Sequence, residues 1–453
     1  MAEGAPRLSR PVRWVFALVL AANAAVAAWL VWRTSVLEPY SDMIDWADRW
    51  LRLQSDHKLA QYFWVPHNFH HLVLMLGILD LDIRFFSGQG YLFLAVGVAC
   101  LVATAAMMVR LAAQAAGPGL RLLGGGVALA ICLMGCHVLD ANTVINTTYL
   151  HALVFAVAAV VLAGASGEGA RRRQVAALAC AVAAGLGSAA GMAVWPALAL
   201  DAWRSGRRGW LLVVLAAGVA FAALYMVGEG VGGGLPSLGR GGLSPVKSIL
   251  LFTNFLGLPW MRGMPSFGGL IGLGFLGAAL AALLFRGGPR AEPTESTAVA
   301  LIVLSLGTAA LAGLARTGDM APALVPMRYS VFLIPLQVGL WVLAQPYLRR
   351  ALAARPRAAD AATLGLAGLL LAQQGVMALY ALRTGDINLR IVADYREGVR
   401  TPALMAVIYP QPAKALAVSD ALKRRGLYQT ELRPDPPPRR LSGSGISASA
   451  TGP

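Results

Sequence analysis

The sequence predicts an all-α, polytopic membrane protein, and three observations carry that prediction. Hydrophobic residues make up 57% of the 453 residues and charged residues only 13%. The mean hydropathy is +0.63. The apolar residues gather into blocks of about 18–22, the length that spans a bilayer core. Soluble domains carry charge on about a quarter of their residues, which this chain does not approach. Its formal charge of +16 would point to nucleic acid in a soluble protein. Here the arginines sit between apolar blocks, so they read as topology signals and no nucleic-acid partner is expected. The four cysteines, Cys100, Cys132, Cys136 and Cys180, all fall in apolar segments without a Cys-x-x-Cys pair, which argues against a disulfide framework or a zinc site.

The first block, 12–32, follows Arg7, Arg10 and Arg13 and ends in Trp-Leu-Val-Trp-Arg without a small-residue cleavage site. It reads as a retained signal-anchor helix. Further spans are expected over 91–110, 122–139, 149–165, 210–227, 268–286, 298–315, 329–345 and 362–382. The stretch 174–203 is too long for one comfortable span and contains Gly185, Gly187, Gly191 and Pro196. Arg171–Arg173 precede it and Arg204, Arg207 and Arg208 follow it, so both flanks belong on the same, cytoplasmic side. Two short helices, 174–187 and 190–203, turning at Gly-Ser-Ala-Ala-Gly, meet that demand. The total is about eleven transmembrane or half-spanning helices.

This gives a cytoplasmic N-terminus (1–11), a membrane domain (12–382) with a large outer loop (33–90), a small outer C-terminal unit (383–433) and a disordered tail (434–453) rich in Pro, Ser and Gly. In 228–267 the run Ile249–Trp260 is too short to span and is expected to lie at the outer interface. Within the C-terminal unit, Leu404–Tyr409 looks strand-like and Pro412–Arg425 helical. An Ala/Gly/Arg-rich chain of this kind looks bacterial, which would place it in the inner membrane with its C-terminus periplasmic.

The most informative stretch follows the first helix: Glu38-Pro-Tyr-Ser-Asp42-Met-Ile-Asp45-Trp-Ala-Asp48-Arg49-Trp-Leu-Arg52. Ile44, Ala47, Trp50 and Leu51 recur at helical spacing, so an amphipathic helix at the membrane interface is expected, with Ser41 as its N-cap. Asp45 and Arg49 stand four residues apart, as do Asp48 and Arg52, which makes both carboxylates candidates for ordinary helix-face ion pairs. Asp42 has no such partner in sequence, and a base needs an uncommitted carboxylate. Asp42 is therefore the first candidate base and Asp45 the second.

Downstream, Trp64-Val-Pro-His67-Asn68-Phe-His70-His71 concentrates three of the six histidines. The spacing is specific to no metal, and the ordinary alternative is a solvated turn after Pro66. A divalent metal is not predicted. Arg316-Thr-Gly-Asp319 and Arg328-Tyr329 flank later helices, where arginine either snorkels to headgroups or clamps a lipid phosphate. His137, Asp140, Asn142 and Asn146 lie where the third span emerges, and His151 and Gln337 lie within spans, where polar groups usually face the bundle interior.

The order of these parts resembles the GT-C superfamily of membrane glycosyltransferases, in particular bacterial members that use polyprenyl-phosphate sugars. The resemblance rests on Ser41-Asp42-Met-Ile-Asp45 after the first helix, on Pro66-His67-Asn68-Phe69-His70-His71 and on Gly191-Met-Ala-Val-Trp195-Pro196. Phe255-Leu-Gly257-Leu-Pro259, Ala315-Arg316-Thr-Gly318 and Met327-Arg328-Tyr329 extend it over most of residues 12–425. Where that family often continues the His-Asn stretch with Glu and then His-Arg, this chain has Phe69 and His71. The resemblance implies an inverting transfer at the outer face, from a polyprenyl-phosphate sugar donor to a hydroxyl of a lipid or glycan acceptor. Asp42 or Asp45 would act as base, with His67, Asn68, His70, Arg316, Arg328 and Tyr329 binding substrate. Two other readings stay open: a transporter or flippase of a lipid-linked saccharide, and a non-catalytic relative in envelope assembly.

Overall fold

A computed structural model describes residues 8–37, 41–67, 70–164, 167, 169–229, 244–260, 265–286, 292–315, 325–353, 355–396, 401, 404 and 408–428. Among them helix is the only extended regular element; β pairing is confined to two isolated bridges, Val36–Thr143 and His67–His70. Eight helices are long and apolar enough to cross a membrane, and a bent pair makes a ninth. Large apolar side chains stand exposed around the bundle, among them Leu18, Val219, Leu284, Phe285 and Leu379. Soluble monomers do not leave so much apolar surface in water. The chain is a multi-pass membrane protein.

The bundle is built from α1 (Arg10–Thr34), α5 (Tyr91–Ala116), α6 (Arg121–Cys132), α7 (Gly135–Ala141), α8 (Thr147–Gly164), α9 (Ala170–Gly187), α10 (Val194–Arg204) and α11 (Arg208–Glu229). It continues through α12 (Pro245–Gly257), α13 (Pro265–Arg286), α14 (Pro293–Ala315), α15 (Ile334–Ala353) and α16 (Pro356–Arg396). All nine spans expected from hydropathy are present as helices. The last expected span does not stop at 382: with no proline in the way, α16 runs unbroken for 41 residues to Arg396, and Asp386 on it pairs with Arg33 at the end of α1 at 2.9 Å.

Two breaks shape the bundle. α6 and α7 form the span expected over 122–139, bent by 57°. The bend frees backbone groups that lipid cannot satisfy. Gln374 of α16 supplies the partners: its Oε1 accepts from the Gly135 N–H and its Nε2 donates to the Leu133 carbonyl, each at 3.1 Å. The second break is the expected turn after Gly187. α9 ends there, a 3-10 turn covers Ala189–Ala193, and α10 follows. Thr148, at the start of α8, donates to the Gly187 carbonyl, whereas Arg207, just beyond α10, donates to the Ala163 carbonyl at the end of α8. The chain therefore rises and returns, and both arginine-rich flanks lie at one end of the bundle. A Cβ on Gly191 would meet the Ala184 carbonyl oxygen at 2.1 Å, so only glycine lets this turn close.

The loop 33–90 folds into α2 (Met43–Asp56), α3 (Leu59–Trp64) and α4 (Val73–Phe86). Together with α17 (Pro412–Arg424) these make a cap with a core of its own, in which Ile44, Trp46, Leu76 and Leu79 pack with Ile408, Val418 and Leu422. This corrects the expected interfacial placement of α2. Its apolar face, with Ile44 at 0%, Ala47 at 1% and Trp50 at 7% exposure, is covered by protein. The strand expected over Leu404–Tyr409 is not formed at its described positions, since Leu404 and Ile408 are helical; 405–407 lie outside the described residues. The helix expected over Pro412–Arg425 is α17. The run Ile249–Trp260 lies largely within α12, which packs against α13 and α14. The tail 434–453 lies outside the described residues.

Candidate functional site

The site is built where α1 hands over to the cap. Ser41 takes a left-handed conformation, with φ of 55°, and turns the chain into α2. The helix cap is Asp42 rather than the expected Ser41, and its side chain makes no capping hydrogen bond. That carboxylate is directed elsewhere: Asp42 Oδ2 lies 3.2 Å from His67 Nε2. The pairing corrects the expectation that Asp42 has no partner; the partner lies 25 residues away and sequence spacing on α2 could not reveal it. Among the three carboxylates of this helix face Asp42 is the most open, at 38% side-chain exposure against 20% for Asp45 and 19% for Asp48.

The ion pair expected between Asp45 and Arg49 is not formed. Arg49 instead donates to the Val65 carbonyl at 2.6 Å and the Pro66 carbonyl at 2.9 Å, fixing the segment that carries His67. Two bare carbonyls beside a proline are strong competitors for a guanidinium, whose fork reaches both at once. Asp45 is taken by the far end of the chain: its Oδ1 accepts from the Tyr409 hydroxyl at 2.7 Å and from the Lys414 ammonium. Its Oδ2 faces His67 Nδ1 at 3.7 Å. The Asp48–Arg52 pair is present as expected, and Lys414 Nζ adds a second contact to Asp48 at 3.2 Å.

Electrostatics follow these contacts. Burial pushes the Asp48 carboxyl up, but hydrogen bonds from Arg52 and Lys414 outweigh it and hold the group below the ordinary 3.8. Burial pulls Lys414 down, and its bonds to Asp45 and Asp48 outweigh that, so it stays charged above the ordinary 10.5. Burial, with the hydrogen bond to Asp45, pushes the Tyr409 phenol up, so it acts as a donor. A cavity of about 430 Å³ opens beside this network, walled by Asp45, Asp48, Arg52, Lys58, Gln61 and His67.

The three histidines expected together in one turn have three separate roles. His67 is 8% exposed and packs edge-on against Trp46 while it holds Asp42. Its backbone exchanges two hydrogen bonds with His70, closing the turn. His70 Nδ1 accepts from the Ala189 N–H at 3.1 Å, at the tip of the α9–α10 break. His71 is fully buried between Trp64 and Tyr225, and Tyr225 bonds both its backbone N–H and its Nε2 at 3.1 Å. The expected solvated turn is thus a docking element: two of its histidines fasten the cap to the bundle. Asn68 and Phe69 lie outside the described residues, as do Arg316 and Asp319.

Arg328 is the second residue of the 3-10 turn Met327–Leu333 that leads into α15. It is exposed, sits 5.6 Å from the Tyr329 ring, and lies close enough to Asp42 and to Asp140 for their charges to interact. Tyr329 is 8% exposed and belongs to an aromatic cluster with Tyr149 and Phe255. Deeper in the bundle, Asp140 and His151 are buried with their side-chain polar atoms lacking hydrogen-bond partners. Among the described residues no three His, Cys, Asp or Glu side chains gather so as to hold a metal ion.

Tyr409 and Lys414 are the site residues that sequence reasoning missed. The one signal was compositional: Lys414 is among only four of the 38 Lys and Arg residues that are lysine. The site thus unites Asp42, Asp45 and His67 and brings Arg328 within charge range of Asp42, while His70 and Tyr329 serve packing and docking. No family model, curated protein or solved structure matches this chain.

Proposed function

We propose that the protein is a membrane glycosyltransferase of the GT-C type, with about eleven membrane-crossing or half-crossing segments, that acts at the periplasmic face of a bacterial inner membrane. The donor in this reading is a sugar on a polyprenyl phosphate, and the acceptor is a hydroxyl of a lipid or glycan. One observation carries it. A half-exposed carboxylate, Asp42, is held by His67 at the junction of cap and bundle, with the Arg328 guanidinium within charge range.

That arrangement suits a single displacement. The acceptor O–H gives its proton to Asp42 as its oxygen bonds to the anomeric carbon. The bond from that carbon to the phosphate oxygen breaks, and the phosphate departs with the electron pair. Arg328 stabilises the charge that develops there. With one base and no covalent intermediate, configuration inverts. Asp45 already accepts two hydrogen bonds on one oxygen and serves as a support for His67 rather than as the base.

The test is transfer of a labelled sugar from a panel of polyprenyl-phosphate donors by purified protein, with Asp42→Asn beside wild type. Wild type transfers, and the folded variant falls by about 10²–10⁴ in rate, the share a general base contributes. Equal transfer by both would remove Asp42 as base. The buried Asp140 and His151, without hydrogen-bond partners inside the bundle, favour a second reading, a transporter of lipid-linked saccharide. Uptake or flipping by wild type without transfer, lost in Asp140→Asn and kept in Asp42→Asn, would establish that one instead.

A further inference from the structure

The C-terminal unit grips the segment that carries Asp42 at three points. The Ile408 carbonyl accepts from the Ser41 N–H at 2.6 Å, at the left-handed residue directly before Asp42. The Tyr409 hydroxyl donates to Asp45 Oδ1 at 2.7 Å. Lys414 donates to that same oxygen and reaches Asp48. α17 itself is anchored by Ala415, Val418 and Leu422 in the apolar core it shares with α2 and α4, and Arg425 lies over the Trp50 ring at 5.6 Å.

These contacts run in series. With Oδ1 of Asp45 occupied by two donors, the carboxylate cannot rotate, and its Oδ2 is presented to His67 Nδ1 at 3.7 Å. At that separation the carboxylate acts on the imidazole electrostatically, beyond hydrogen-bond length. The partner of one imidazole nitrogen sets the orientation and proton of the other, and the other, Nε2, lies 3.2 Å from Asp42. We propose that Tyr409 and Lys414 are positioning residues of the transfer site: through Asp45 they fix His67, and through His67 they hold Asp42 in the orientation a base requires. The proposal rests on the reading of Asp42 as the base, and its test separates the two.

The groups around His67 define what a change at Lys414 would reach. Asp42 and Asp45 of α2 face its ring nitrogens, with the Trp46 ring edge against it. Arg49 holds the carbonyls just before it, Arg328 acts on Asp42, and Lys414 offsets Asp45 and Asp48. Removing the ammonium leaves Asp45 Oδ1 with one donor and lets that carboxylate turn against the ring. In Lys414→Met the environment of the His67 imidazole therefore changes, and Lys414→Arg restores it.

The experiment is histidine-selective NMR of the full chain in nanodiscs, with His67 assigned by His67→Gln, run beside the sugar-transfer assay. In Lys414→Met we expect the ring resonances of His67 to move, and Lys414→Arg to return them. The turnover number should fall roughly 10–100-fold, as when a group supporting a site's ligand is removed, with KM little changed and recovery in Lys414→Arg. Unmoved His67 ring resonances in a variant that melts like wild type overturn the proposal. If Lys414→Met does not fold, Tyr409→Phe removes one hydrogen bond alone and should move the same resonances by less; no movement there overturns it equally. Moved resonances in a protein whose wild type transfers nothing would leave the positioning network standing and sink the transferase reading.

Discussion

Asp82 links the cap to the bundle, and its replacement gives the sharpest quantitative test of the fold. It sits on α4 with no exposed surface. Its Oδ2 accepts from the Gly90 N–H at 2.9 Å and its Oδ1 from the Leu92 N–H at 3.1 Å. These are among the N–H groups that the start of α5 leaves without helical partners, and a carboxylate there also complements the helix dipole. Asp82→Ala strands both donors. Each buried donor left unpaired costs about 1–3 kcal/mol, so the loss should reach about 2–6 kcal/mol, with Gly90 at the upper end because its N–H is fully buried. Asp82→Asn keeps one acceptor and should cost about half as much. Thermal unfolding in detergent, with hydrogen exchange read at Gly90 and Leu92, measures both. A change in Asp82→Ala below about 0.5 kcal/mol, the size of an ordinary surface substitution, would refute the capping role. The pH dependence adds a sign. Burial raises the Asp82 carboxyl above 3.8, against the pull of the two N–H bonds. The folded protein then holds this proton more tightly than the unfolded chain. The group's contribution to stability is full below 3.8 and is lost as pH rises through its folded value. Asp82→Asn should flatten that slope.

Asp48 should show the opposite trend, because its folded value lies below 3.8: its contribution is present above 3.8 and lost as pH falls through the folded value, and unfolding scans of Asp48→Asn should lack this acid-side loss. Arg49→Met removes two charge-assisted bonds, each worth about 1.5–3 kcal/mol, and should free the 65–67 segment. Transfer should fall with Asp42 untouched, and limited proteolysis should cut near Val65; an unchanged digest would show that Arg49 does not hold the turn. Gly191→Ala sets a Cβ 2.1 Å from the Ala184 oxygen, and should cost about 1–3 kcal/mol as overpacking does, seen as a lower melting temperature.

Much of the fold was legible because membrane insertion is a local property. Apolar runs of spanning length are visible without knowing any partner, and so is the arginine bracket around 174–203, whose rise and return the Thr148–Gly187 and Arg207–Ala163 contacts reproduce. The existence of α2 was legible for the same reason. Its partners were not. The apolar stripe of Ile44, Ala47 and Trp50 states that the helix must bury a face, and says nothing on whether lipid or α17 covers it. Asp45 meets Tyr409 and Lys414 across 364 and 369 residues, and His71 meets Tyr225 across 154. No periodicity reports a contact of that range. The i,i+4 rule named the pair Asp45–Arg49, but it counts only partners on the same helix, and stronger ones arrived from elsewhere.

The docking of the cap and the break in the bundle depend on each other. A helix interrupted within a bilayer leaves backbone N–H groups that lipid cannot satisfy. At the α9–α10 break, Ser188 Oγ accepts from Ala190, and the Ala189 N–H goes to His70 of the cap. The break is therefore completed by a side chain from outside the bundle. His71, next in sequence, takes its partner from Tyr225 near the end of α11. These two anchors leave His67 little freedom, since its backbone is bonded to His70 on one side and its preceding carbonyls to Arg49 on the other. Asp42 is tied to that histidine and, through the turn at Ser41, to the Ile408 carbonyl. The carboxylate is thus mounted on contacts with the bundle rather than on a free loop. The transfer proposed above, with a base on one side of a reacting carbon and a cation on the other, needs such a fixed mounting, and the docking histidines supply it.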